Sequence, residues 1–343
     1  MQKLLYPESP VSLWLAVLLV LLFLNKSQAT VGEQCSDCHT MHNSQNGQPV
    51  AYQLNPLYSG FEANTIPNKM LLVSNCVGCH TYTGSATIIN NTPIVFNTSA
   101  VNNPLAGGNF NYVRNDDMKG HNVEGIVSQD GDLGLIPPGG AAMTSQLTCA
   151  GEFGCHGDRS AGNDNISSIK GAHHTDDSGG VTGTSVGLSY RFLKGISGKE
   201  DMDWEQDNAN TSHNEYKGST SGAADTISYL CAQCHGLFHT WQGGAFEVGT
   251  ASPWLRHPTD IALKSTGEYA NYTTYNMMAP VARPDPDNVM DTTQVTPGTD
   301  IIMCLSCHRS HASPYFKMMR WDYKSSDLPT ALSGCNVCHT SKD

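Results

Sequence analysis

Twelve cysteines and fourteen histidines are the residues of this chain that could do chemistry, and their spacing groups them. Five pairs of cysteines stand three positions apart with a histidine directly after the second thiol. These are Cys35 and Cys38 before His39, Cys76 and Cys79 before His80, Cys231 and Cys234 before His235, Cys304 and Cys307 before His308, and Cys335 and Cys338 before His339. A sixth pair, Cys149 and Cys155 before His156, has five intervening residues. In C-x-x-C-H the thiols lie about one helical turn apart, which suits thioether bonds to the two vinyl groups of a haem, and the adjacent imidazole reaches the iron as proximal ligand. Zinc ribbons and dithiol redox sites use the same cysteine pair but do not need the histidine. The pattern therefore predicts six haem c groups on proximal ligands His39, His80, His156, His235, His308 and His339, with no cysteine left over. At the sixth pair the extra residues can bulge outward, and Gly151 and Gly154 make such a loop cheap. The competing reading there is a short disulfide loop beside a coincidental histidine.

An electron-transfer haem fills both axial positions, with His/His or His/Met. Eight histidines lie outside the motifs: His42, His121, His173, His174, His213, His239, His257 and His311. Eight candidates serve six irons with two to spare, which predicts bis-histidine ligation throughout and argues against an open catalytic iron. Met41 and Met143 are the alternative ligands, although methionine more often packs. His42 and His311 follow a motif histidine by three residues and His239 follows by four. Neither spacing puts both rings on opposite faces of one haem. One helical turn instead aims the second ring at a neighbouring macrocycle, so each such segment staples two haems close together, as electron hopping requires. A reductase of nitrite or a similar small molecule would need a five-coordinate iron, so the expected protein is not an enzyme and has no catalytic residue.

The elements that must hold these groups are sparse. Residues 1–29 read as a signal peptide: Lys3, an uncharged run from Val11 to Leu24, then a small-x-Ala site at Ser27-Gln28-Ala29. The run is shorter than the roughly 20 residues of a spanning helix. The mature chain, 30–343, reads as one hexahaem domain, exported through the periplasm to the cell surface or medium. Net charge is -12, or about -13 without the leader, a sign that disfavours nucleic acid. With 33 Gly and 17 Pro, the fold expected is mostly irregular and loop-rich, with short α-helices and 3-10 turns around a continuous haem chain and minimal β. The macrocycles supply much of the apolar core that the side chains lack. Short helices are expected over Pro67–Cys79, Asp225–His239 and Thr299–His308, and a brief strand over Asn91–Phe96. The acidic run Glu200, Asp201, Asp203, Glu205 and Asp207 lacks the glycine and ligand spacing of a calcium loop, and a solvated turn is the expectation.

Several stretches around the second histidines resemble one family, the OmcS-like hexahaem outer-surface c-type cytochromes of metal-respiring bacteria, which polymerise into extracellular conducting filaments. They are the run Cys35-Ser-Asp-Cys38-His39-Thr40-Met41-His42-Asn43-Ser44, Gly120-His121-Asn122, Ser189-Tyr190-Arg191-Phe192-Leu193, Leu255-Arg256-His257-Pro258, Cys304 through Ser313, and Cys335-Asn-Val-Cys338-His339. The anchors occur in the same order across the whole mature chain. The resemblance implies a homopolymer whose haem pairs continue from subunit to subunit, head to tail, with His42 donated to the haem of His308 in the next subunit. It also implies upstream outer-membrane or periplasmic cytochromes as donors and extracellular electron acceptors. The runner-up is a monomeric exported carrier in which His42 ligates a haem of its own chain. This chain departs from the pattern in two places. No histidine follows His80 closely, and the Cys149/Cys155 site is expanded, with the pair His173-His174 downstream.

Overall fold

The computed structural model describes residues 76–162, 165–171, 174, 181–238 and 257–341, with the backbone alone of His239 and of a few short strands elsewhere. The leader, Cys35, Cys38, His39, Met41, His42 and His173 lie outside the described residues, as does the side chain of His239.

Regular structure is scarce because Gly, Pro and Asn recur before any period can build. The described α-helices are α1 (Asn165–Ser168), α2 (Ile227–Ala232), α3 (Leu328–Leu332) and α4 (Cys335–Cys338). Most of the remaining helical character is three-residue 3-10 turns. Among the described residues no helix is long and apolar enough to cross a membrane. One five-stranded sheet organises the second half: β1 (Gly198–Lys199), β2 (Glu215–Lys217), β3 (Ile261–Ala262), β4 (Ala282–Arg283) and β5 (Ile301–Ile302), in the order β1-β2-β4-β5-β3. β2 and β4 pair in parallel, Tyr216 opposite Ala282, and the other pairs are antiparallel. The chain is thus loop-rich with minimal β.

The expected helices are shorter than their patterns. Thr226 caps α2 by accepting from the Tyr229 amide at 3.2 Å, and the helix stops at Ala232, followed by a separate 3-10 turn over Gly236–His239. Over 299–308 the helix does not form. Ile301 and Ile302 are β-branched, and both bury in the sheet as β5, leaving only a 3-10 turn at Cys304–Ser306. Within 67–79 the described part is a 3-10 turn, Cys76–Gly78. The strand over 91–96 divides. Thr92–Pro93 folds back on Ile88–Ile89 through Asn90 and Asn91, both at positive φ (47° and 54°), whereas Phe96–Asn97 pairs in parallel with Thr81–Tyr82.

The acidic run is a solvated turn only in part: Asp207 is exposed and Glu200 and Asp203 are half-buried, whereas two of its carboxylates are buried. Asp201 and Glu205 are 8% and 2% exposed. The Asn214 amide donates to Glu205 at 2.9 Å, Ser212 donates to Asp201 at 2.6 Å, and Glu200 pairs with Arg191 at 3.3 Å. Burial is tolerable because these carboxylates receive hydrogen bonds. A second buried polar group crosses the sheet, where Arg283 meets Glu215 at 2.9 Å, Asp300, and the carbonyls of Thr292 and Gln294. Apolar clusters make up much of the described core. One is built on Tyr190, Ile196, Tyr216, Ile301 and Met303, and another on Phe96, Phe110, Val113 and Ile126.

Candidate haem-binding site

Each described motif is held by the same backbone bond, from the histidine amide to the carbonyl of the first cysteine. The lengths are 3.0 Å at His80, 2.9 Å at His235, 3.1 Å at His308 and 2.9 Å at His339. The expanded site reproduces it. His156 N donates to Cys149 O at 3.0 Å and Cys155 N to the same oxygen at 3.2 Å, so the additional residues form an outward loop and the motif geometry survives. Gly154 closes that loop so tightly that a Cβ there would lie 2.4 Å from the Ala150 nitrogen.

Distant segments then bring imidazoles together in pairs. Ring centres are 6.1 Å apart for His80 and His174, 6.1 Å for His121 and His235, 6.2 Å for His156 and His311, and 6.4 Å for His257 and His339. Two metal–imidazole bonds of about 2.0 Å, with a little over 1 Å from each nitrogen to its ring centre, put such rings about 6 Å apart. The four pairs therefore fit one iron between each. The strip 309–313 positions two of these rings. It runs between 107–109 and 119–121, presenting His311 from its own backbone and holding His121 through the Ser310 carbonyl at 2.8 Å and the His311 carbonyl at 3.0 Å. Only glycine fits at 108, where φ is +87° and a Cβ would lie 1.8 Å from Ala312 O.

On most of these rings Nδ1 is hydrogen-bonded, which leaves Nε2 to face a metal, whereas the Nδ1 atoms of His311 and His339 are buried without a hydrogen-bond partner. Among motif histidines, Nδ1 meets the carbonyl of Pro93 at 2.7 Å (His80), Arg191 at 2.8 Å (His156), Pro138 at 2.8 Å (His235) and Lys317 at 2.8 Å (His308). Two of these acceptors come from matching straps. Arg191-Phe192 and Lys317-Met318 all adopt positive φ, turning a carbonyl onto the motif ring. His174 and His257 bond the carbonyls of Gly171 (3.1 Å) and Pro258 (2.9 Å). Burial lowers the pKa of His80, His121, His156 and His308, and takes His311 down to about 3 with help from His156 and His121 nearby. Buried imidazoles are thereby neutral, the form that ligates a metal.

The motifs line one continuous cavity of about 2600 Å³ that touches His80, His156, His235, His308 and His339. Single-ligand pockets are roughly 300–1,000 Å³, so this space suits several large groups. Around it thiols of successive motifs lie near one another, Cys76 by Cys149, Cys155 by Cys234, Cys231 by Cys304, and Cys307 by Cys338 and Cys335. Burial pushes Cys155 up to about 11 and Cys307 and Cys338 up to about 12. A disulfide exchanger needs the reverse, a depressed thiol.

His213 stands apart from the paired rings. It stacks on Tyr275 with centres 3.6 Å apart, and its Nδ1 and Nε2 meet the Asn214 and Thr292 carbonyls at 3.0 and 3.1 Å. Both ring nitrogens are thus taken by carbonyls, so it is not placed to ligate a metal in this structure. Among the described residues no imidazole lies at the pairing distance from His308. Met143 lines the cavity, but four of the five described motif histidines already face an imidazole. The carbonyl-bearing straps and the carboxylate of Glu268, 3.2 Å from His339 Nδ1, were not legible in the sequence, where nothing but general loop composition marks them.

These residues define a loop-rich chain whose imidazoles meet in pairs at a spacing that would suit a metal between them, with motif cysteines around the same cavity. In sequence the chain is similar to the C-type cytochrome OmcS of Geobacter sulfurreducens, 25% identical over 360 residues that span 84% of this chain and 78% of OmcS. Among solved structures it is similar to the Outer Membrane Cytochrome S Filament from that organism, with TM-score 0.45 and 20% identity over 92% of this chain and 100% of that one. It is also similar to the OmcS nanowires seen by cryo-EM, with TM-score 0.46, 18% identity and the same coverage. No protein-family model matches the chain.

Proposed function

We propose that this protein is an exported hexahaem c-type cytochrome that conducts electrons along its haems and assembles head to tail into an extracellular filament. The observation that carries the reading is the set of four imidazole pairs at two-bond spacing beside five cysteine motifs around one cavity. Haem supplies one-electron chemistry when bound. The motif cysteines would anchor the group, His80, His156, His235 and His339 would ligate it, and His174, His311, His121 and His257 would be their respective second ligands. Because thiols of successive motifs lie close together, the attachment edges from the second site to the sixth follow one another closely in chain order, a spacing suited to hopping. For the His39 centre the second ligand comes from His173 or His239.

The polymer reading is supported by the similarity to OmcS. His42 of the preceding subunit fills the second axial position opposite His308, and a contact of this heterologous kind does not close, so it propagates as a helix. Donors are then upstream outer-membrane or periplasmic cytochromes, and acceptors lie outside the cell. In the monomeric alternative His42 would ligate within its own chain. Cryo-electron microscopy of the haem-loaded protein from the extracellular fraction decides between them. Helical filaments with His42 on a neighbour's iron are expected, and discrete particles with His42 bound internally would overturn the polymer.

A further inference from the structure

Four of the five described motif histidines give Nδ1 to a neutral backbone carbonyl, and His339 alone among them faces a carboxylate, Glu268 Oε2 at 3.2 Å. We infer that Glu268 sets the reduction potential of the His339 centre below those of its described counterparts, making it the uphill step in the electron path. The inference rests on the haem reading above.

The contact is built into the fold. Glu268 lies in the 3-10 turn Gly267–Tyr269, and its carbonyl is held by both the amide (2.9 Å) and hydroxyl (2.5 Å) of Thr340, the residue after His339. Its neighbour Tyr269 packs on the His339 ring, centres 4.9 Å apart. The His339 and Glu268 side chains are only 18% and 22% exposed, so water screens the pair weakly. The contact is one of charge rather than a hydrogen bond, since His339 Nδ1 makes none. A fixed negative charge close to the iron favours the more positive oxidised state. The neutral carbonyls beside the other motif histidines carry no such charge.

The test is Glu268→Gln in the full-length haem-loaded protein, with haems counted by intact mass and potentials read by spectroelectrochemical titration. With six haems retained, only the low-potential end of the titration should move upward. Glu268→Asp, which keeps the carboxylate, should restore the wild-type low end. A Gln variant with six haems and a titration that superimposes on wild type, or shifts uniformly along its length, would overturn the inference. If the Gln variant loads five haems, the Asp variant decides: six haems with a wild-type low end support the tuning role, and five make Glu268 a packing residue and overturn it. A wild-type protein without six haems would sink the haem reading instead.

Discussion

His311 illustrates what a single side chain contributes. Its ring stacks on Phe110 and faces His156, so on the proposed ligation His311→Ala would remove one axial group while leaving both thiols of the Cys149/Cys155 site in place. All six haems should remain by mass, and one haem in six should turn high-spin in the ferric EPR spectrum; a wholly low-spin spectrum would refute the pairing. Arg283 tests the buried polar group. Arg283→Met strands Glu215 and Asp300 without their cation, and removing one partner of a buried pair costs about 3–5 kcal/mol. Urea unfolding should show that loss, with haem content unchanged. The motif cysteines and histidines were legible because their chemistry is encoded in adjacent positions. Which of the eight remaining histidines meets which motif was not, because each pair joins segments far apart in the chain. Residue type cannot separate His311, which faces a motif ring, from His213, whose two nitrogens are taken by carbonyls.

At the scale of elements, the informative unit is the short loop that delivers a group to the cavity. In the expanded site, Gly154→Ala would drive a Cβ into the Ala150 backbone and separate Cys155 from the carbonyl that orients it. The variant should carry five haems by intact mass, and six would show that the loop can relax. The loop-rich character of the chain was readable from its Gly, Pro and Asn punctuation, and the α2 start at Thr226 follows from ordinary capping. The segment 299–308 was misjudged because an Ile-Ile pair suits a buried strand as well as a helix, and the sheet that receives β5 is assembled from distant strands. The acidic run misled only in part, and for a related reason. Its carboxylates look solvated until Asn214, Ser212 and Arg191 arrive from elsewhere to receive them.

For the whole molecule, His42 separates wire from carrier. His42→Ala should leave six haems attached, abolish filaments in negative-stain images and turn the His308 centre high-spin; filaments of normal length would exclude His42 as the interface ligand. The same pairing pattern bears on how so irregular a chain stays folded. An iron held between His156 and His311, or between His80 and His174, closes a loop of the backbone as a cross-link does. For a disulfide, a closed loop of 100 residues is worth about 4.7 kcal/mol in lost unfolded-state entropy. A chain stitched by overlapping links of this kind has little need of long helices or wide sheets. On the proposed ligation, its resistance to unfolding would be set by how slowly axial bonds exchange, and rearranging it would mean opening a link rather than melting a segment.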